Sequence, residues 1–178
     1  MITITFISHK TTDDNENKIA SGWNNVPLSE LGKEQALETK AFFKDKKFDY
    51  IFCSDLERSL DTALVVFKDH SIPVIIDWRI RECNYGDMNG CAKREMESLR
   101  ESAIEIAYPK GESYTECVKR MKEFLDWMRG KFDGSTVCIV GHRATQYTLE
   151  SLCLKKALKE IVTAPWSWQE KGWEYILE

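Results

Sequence analysis

The chain has little of the chemistry that holds small secreted folds together or places proteins in membranes. Its 178 residues include six cysteines and three histidines. No two cysteines form a C-x-x-C pair, and none stands at zinc spacing with a histidine. Most of the cysteines lie inside apolar patterns, where a free thiol behaves as a small hydrophobe. Reduced thiols are therefore expected, and with them a cytoplasmic location. No apolar run approaches the roughly 20 residues that cross a bilayer. The start of the chain lacks the basic region and apolar stretch of a secretion signal, so no membrane partner is expected. Basic charge is also short: 25 Lys and Arg stand against 29 Asp and Glu, a formal charge of −4. That balance argues against a general nucleic-acid binder. Low-complexity segments and internal repeats are absent.

What remains is the composition of a globular protein, 43% hydrophobic and 30% charged. The length suits one domain over residues 1–178, with a core that needs no metal or disulfide support. Strand and helix signals alternate, which predicts an α/β fold with a largely parallel sheet. In the first strand, residues 2–7, Ile2, Ile4 and Phe6 alternate with threonines, as in a half-buried strand. A helix is expected from about Ser29, then strand DYIFCS, then a helix with Leu56, Leu60, Ala63, Leu64 and Phe67 on one face. IPVIID reads as a third strand, NYGDMNG as a loop, and residues 93–107 as a helix that stops near Pro109. Ser113 and Glu116 form a capping-box pattern ahead of the clearest helix. STVCIVG is an unbroken apolar strand of the kind buried on both faces. GWEYIL is a candidate for a last strand.

His9 and His142 each follow a strand immediately. In open parallel sheets, ligands bind beyond the carboxyl ends of strands. Arg58 lies in the first turn after the second strand, and Glu82 lies beyond the third. This set suits phosphoryl transfer. A neutral imidazole can attack phosphorus, an arginine offers a planar fork to phosphate oxygens, and a carboxylic acid can protonate the departing oxygen. A protonated second histidine would add charge to the transition state. The same residues also admit plainer readings: strand-end histidines are commonly loop residues, Arg58 can be salt-bridged, and Glu82 can pair with Arg79 or Arg81. A His-His-Glu metal site is formally possible, but Arg58 would oppose the ion.

Taken in order, the motifs resemble the histidine phosphatase superfamily, the phosphoglycerate mutase-like group. SHKTTDDN resembles R-H-G-[EQ]-T-x-x-N, matching His9, Thr12 and Asn15. SGWNNVPLSELGKEQA resembles the G-x-x-x-x-P-L-[ST]-x-x-G-x-x-Q-A that follows it. SDLERSLDTA matches S-x-L-x-R-[AS]-x-x-T-A and places Arg58 on the phosphate-contacting arginine. RECNYGDMNG resembles L-x-E-x-x-[FY]-G-x-x-E-G and places Glu82 on the proton donor. PKGESYTECVKR resembles P-x-G-E-S, and VCIVGHRA places His142 on the second histidine. The resemblance implies a three-layer α/β/α sandwich with a mixed, mostly parallel central sheet. It implies a phosphohistidine on His9, with Glu82 as acid and then base, and Arg58 and His142 on the phosphoryl group. It sets Asn15 and Trp23 near the pocket, with a small phosphorylated substrate and no metal or organic cofactor.

Four positions depart from the pattern. Ser8 replaces the first arginine, Lys10 a small residue, Asn89 a glutamate and Arg143 a glycine. Losing one charge-assisted hydrogen bond costs roughly 1.5–3 kcal/mol, so Ser8 predicts a slower enzyme. Lys10 and Arg143, each beside a matched histidine, are the candidate replacement cations and join Thr12, Asn15 and Trp23 as candidate substrate-binding residues. Three functions stay open: a phosphomonoesterase, a phosphoglycerate-type mutase, and a phosphate-binding pseudoenzyme. The mutase reading is opposed by the short segment between the glutamate loop and P-x-G-E-S. Trp166, Trp168 and Trp173 are candidates for a lid, plain packing or an interface, including a homodimer.

Overall fold

A computed structural model describes all 178 residues. In chain order the elements are β1 (Ile2–Ser8), α1 (Asp13–Glu16), β2 (Ile19–Ala20), α2 (Glu30–Phe43), β3 (Tyr50–Cys53), α3 (Glu57–Val66) and β4 (Val74–Ile76). There follow β5 (Cys91–Ala92), α4 (Lys93–Ser98), α5 (Tyr114–Phe132), β6 (Thr136–Gly141), α6 (Arg143–Leu154), α7 (Leu158–Thr163) and β7 (Trp173–Leu177). The main sheet has the order β4-β3-β6-β1-β7. Four strands run parallel and β7 closes the edge antiparallel to β1.

Alternation along the strands divides the core between two faces. Ile2, Ile4, Phe6, Phe52, Val137 and Ile139 pack with Phe124, Leu125, Met128 and Leu149 of α5 and α6. Ile7, Ile51, Cys53, Cys138 and Val140 pack with Ala36 and Phe43 of α2 and with Ala63 and Val66 of α3. Helices on both faces of a mixed, mostly parallel sheet give the expected layered architecture. A third apolar cluster, with Tyr85, Tyr114, Tyr147 and Val162, lies under the loops beyond the strand ends. All six cysteines are unpaired, and no helix is long and apolar enough to cross a membrane.

Three local expectations need correction. β1 is more than half-buried: only Thr3 is partly exposed, and Thr5 is enclosed along with the isoleucines, because helices cover both faces of the sheet. The helix expected over residues 93–107 stops after Ser98, and a separate 3-10 turn covers Ser102–Ile104. Leu64 does not join the buried face of α3, being about half exposed at 52%. α5 begins with the capping box of Ser113 and Glu116, and GWEYIL does supply the edge strand β7.

Candidate active site

Sheet register builds the site. Ser8 pairs with Gly141, and Cys53 with Val140. His9, Ser54 and His142 therefore leave three adjacent parallel strands at nearly the same level. The His9 amide closes the junction by donating to the Gly141 carbonyl at 2.9 Å. The two imidazole centroids lie 5.1 Å apart. His9 is surrounded by protein but keeps a face on a cavity of about 370 Å³, whose walls include Ser8, Asn15, Arg58, Glu82, Lys93 and Arg143.

A hydrogen bond assigns the proton of His9. His9 Nδ1 lies 2.7 Å from the Lys10 carbonyl oxygen, which can only accept. The ring proton is thus on Nδ1, and Nε2 carries the lone pair. Ser54 Oγ accepts from the Leu56 amide and lies 2.6 Å from His142 Nε2. Ser54 is fully enclosed, and its hydroxyl can donate to that nitrogen or accept from it. His142 Nδ1 has no partner in the protein. Burial, and then the Arg58 guanidinium, pull His9 down to about 3 and hold His142 well below its ordinary value. Both directions favour the neutral form of the imidazoles.

Glu82 is gripped from two sides. Its Oε1 accepts from the Cys83 amide at 2.8 Å and from the Ala144 amide, in the first turn of α6, at 3.1 Å. That leaves Oε2 for other chemistry. Its backbone carbonyl accepts from Trp23 Nε1 at 2.7 Å and from Arg120 at 2.9 Å. Arg58 is 2% exposed and donates to the Asn24 and Gly22 carbonyls at 3.0 and 2.7 Å. Gly22 is required there: it has φ +53°, and a Cβ would fall 1.9 Å from Asn89 Oδ1. That same Asn89 oxygen accepts from the Trp23 and Tyr85 amides, so the departure at position 89 ties two loops together.

The candidate binding residues divide. Asn15 and Arg143 line the cavity; Lys10, Thr12 and Trp23 do not. Thr12 is enclosed and forms a capping box with Asn15, which sets Asn15 in the wall. Trp23 lies under the Arg81 guanidinium at 4.5 Å and holds the Glu82 segment. The Lys10 side chain turns away, placing Nζ 4.5 Å from the Trp168 ring centroid. Trp166 and Trp168 line the cavity, whereas Trp173 packs on Phe6.

Several participants escaped the sequence reading. Ser54 obeys the same strand-end rule that singled out His9. Lys93, on the cavity wall, offered only a charge at a helix start. Arg120 is 7% exposed and bonds to Glu112, the Arg79 carbonyl and the Glu82 carbonyl. An arginine within a helix gave no local sign of that role.

The model of the histidine phosphatase superfamily (branch 1) matches residues 4–168. The chain belongs to that superfamily. Bovine (Bos taurus) fructose-2,6-bisphosphatase TIGAR is 30% identical over 169 residues, covering 89% of this chain and 61% of that protein. The Xenopus tropicalis TIGAR is also 30% identical, over 70% of this chain, and the chain spans only about half of that relative, 49%. The uncharacterized phosphatase PhoE of Bacillus subtilis is 28% identical, covering 84% of this chain and 76% of its own. Among solved structures, Bacillus stearothermophilus YhfR superposes with a TM-score of 0.84 at 25% identity, over 96% of this chain and 88% of that one. A mycobacterial glucosyl-3-phosphoglycerate phosphatase bound to VO3 gives 0.82 at 24% identity, over 92% and 87%. The last likeness speaks to the fold alone.

Proposed function

We propose that the chain is a phosphomonoesterase that hydrolyses a small phosphorylated metabolite through a phosphohistidine on His9. The observation that carries this reading is the fixed tautomer of His9. Its Nδ1 is committed to the Lys10 carbonyl, so the Nε2 lone pair is available, on the cavity that Arg58 and Glu82 also line. Burial keeps that lone pair unprotonated over the working range of pH.

In the first step the Nε2–P bond forms and the P–O ester bond breaks. The proton on Glu82 goes to the leaving oxygen. In the second step the Glu82 carboxylate takes a proton from water, the water oxygen bonds to phosphorus, and the N–P bond breaks. Arg58 supplies a cation from the cavity wall; His142 is enclosed and does not line the cavity, but its ring stands 5.1 Å from that of His9 and is the proposed second imidazole at the phosphoryl group. With Ser8 in place of the arginine, Arg143 becomes the replacement cation. It sits beside His142 and lines the cavity, as Lys93 does. Lys10 is not that replacement, because its amine lies on Trp168.

The test is phosphate release from p-nitrophenyl phosphate and a metabolite panel by the parent and by His9→Ala. Activity that disappears in His9→Ala, with an acid-labile phosphoryl group trapped on the parent, is the expected result. Folded parent protein that releases no phosphate across the panel but binds vanadate would establish a binding protein instead. Phosphoglycerate interconversion with a bisphosphate primer, faster than hydrolysis, would establish a mutase.

A further inference from the structure

Lys10 is the buried titratable group that the proposed chemistry leaves without a role. It is 1% exposed. Its backbone already serves the nucleophile: the carbonyl orients His9, and the amide donates to Thr62 Oγ1 at 3.0 Å. Its side chain goes elsewhere. The amine is drawn at long range to Glu170, Glu38 and Cys138, and its close partner is the indole of Trp168. Burial pulls the amine down to about 8, so the site works against the charge it holds. For plain packing, a methionine would fill the space at less cost.

Trp168 belongs to residues 164–171, a stretch without helix or strand that runs from α7 to β7. Most of that stretch is exposed, and Trp168 itself is 42% exposed, yet with Trp166 it lines the cavity. The far end is pinned at Gly172, which has φ +72° and where a Cβ would fall 2.2 Å from the Phe6 carbonyl oxygen. Between those ends the tryptophan ring is held from beneath by the lysine.

We propose that Lys10 is a positioning residue: its amine, seated on the Trp168 indole, fixes residues 164–171 as one wall of the cavity. Trp166 lies on the same wall, and the cavity also carries Tyr85 and Met96 among polar groups such as Thr11, Gln35 and Lys93; the wall offers a flat apolar surface to the alcohol part of the phosphomonoester. This rests on the phosphatase reading for its chemistry, but not for its geometry.

Non-hydrolysable probes separate the two. Affinities of phenylphosphonate and methylphosphonate are measured by calorimetry for the parent, Lys10→Met, Lys10→Arg and Trp168→Ala, beside KM and kcat for p-nitrophenyl phosphate. In Lys10→Met, phenylphosphonate affinity should weaken about 3- to 30-fold, the range of a partly desolvated cation–π contact. Methylphosphonate should move less than about twofold. The kinetic loss should fall on KM, and acrylamide quenching of tryptophan emission should rise. Lys10→Arg should restore much of the selectivity, and Trp168→Ala should reproduce the loss. Lys10→Met should melt no lower than the parent, which keeps unfolding out of the result. An unchanged phenyl-to-methyl ratio and unchanged quenching in Lys10→Met would overturn the inference. Parent protein that binds both probes without turnover would overturn the phosphatase reading and leave this one standing. Parent protein that binds neither would overturn both.

Discussion

Replacing Glu82 by glutamine separates what this side chain carries from what it holds. Its Oε1 accepts two buried amides, from Cys83 and Ala144. A glutamine oxygen can accept both, so Glu82→Gln should keep the loop and the start of α6 in place. Glu82→Ala leaves both N–H groups unpaired, at roughly 1–3 kcal/mol each and so roughly 2–6 kcal/mol together. For a chain of this size, that is a fall of at least about 4 °C in Tm. Chemistry should move the other way. General acid catalysis is worth about 10²–10⁴ in rate, so Glu82→Gln should lose that factor on alkyl phosphates. p-Nitrophenolate leaves without a proton, so the first step should survive with that substrate while hydrolysis of the phosphohistidine stalls. The assay is stopped-flow absorbance. A burst of p-nitrophenolate equal to the enzyme concentration, then a slow steady rate, is expected. Parent-like steady rates on alkyl phosphates in Glu82→Gln would refute the role. A parent-like Tm in Glu82→Ala would refute the hydrogen-bond argument.

Further outcomes follow from the same geometry. Arg143→Met should lower kcat/KM about 10- to 100-fold, as one charge-assisted contact requires. Ser8→Arg should recover most of that loss in the Arg143→Met background and gain less in the parent; equal gains in both would sink the compensation. Arg120→Met should cost about 3–5 kcal/mol, because it removes the cation paired with the Glu112 carboxylate and leaves the Arg79 carbonyl without a partner, while the Glu82 carbonyl keeps Trp23. Thermal melting reads that loss, and an unchanged Tm would show the Arg120 network to be idle. Acid stability has a definite sign. His9 and His142 are held neutral in the fold by burial and by Arg58, while the unfolded chain takes up protons below about pH 6.5. Their contribution is intact above that value and is lost as pH falls, at up to about 1.4 kcal/mol per pH unit for each. Urea titrations between pH 6.5 and 5 should show this slope, flattened in His9→Gln. A flat parent profile would contradict the assignment.

The strands, the long helices and the capping box at Ser113 were legible because they follow from local periodicity and short-range hydrogen bonds. His9, Arg58, Glu82 and His142 were legible for a related reason: each stands at a fixed offset from a strand end or helix start. The break after Ser98 was not, since helix-forming residues continue beyond it, into a separate 3-10 turn whose Ala103 and Ile104 are buried. Nor was the enclosure of Thr5 in β1, which depends on helical layers closing over both faces of the sheet.

Composition, pattern and motif order by themselves determined an α/β chain and placed two imidazoles, an arginine and a carboxylate near the ends of its strands. Tertiary structure decided which neighbours face the cavity. Lys10 and Arg143 stand beside matched histidines and look equivalent along the chain, but one packs beneath Trp168 and the other lines the cavity. Tertiary structure also decided the surroundings that set the charge of His142. A sequence records that an imidazole is present, while its protons are set by burial, by Arg58 and by the Ser54 hydroxyl, groups that only folding brings to it.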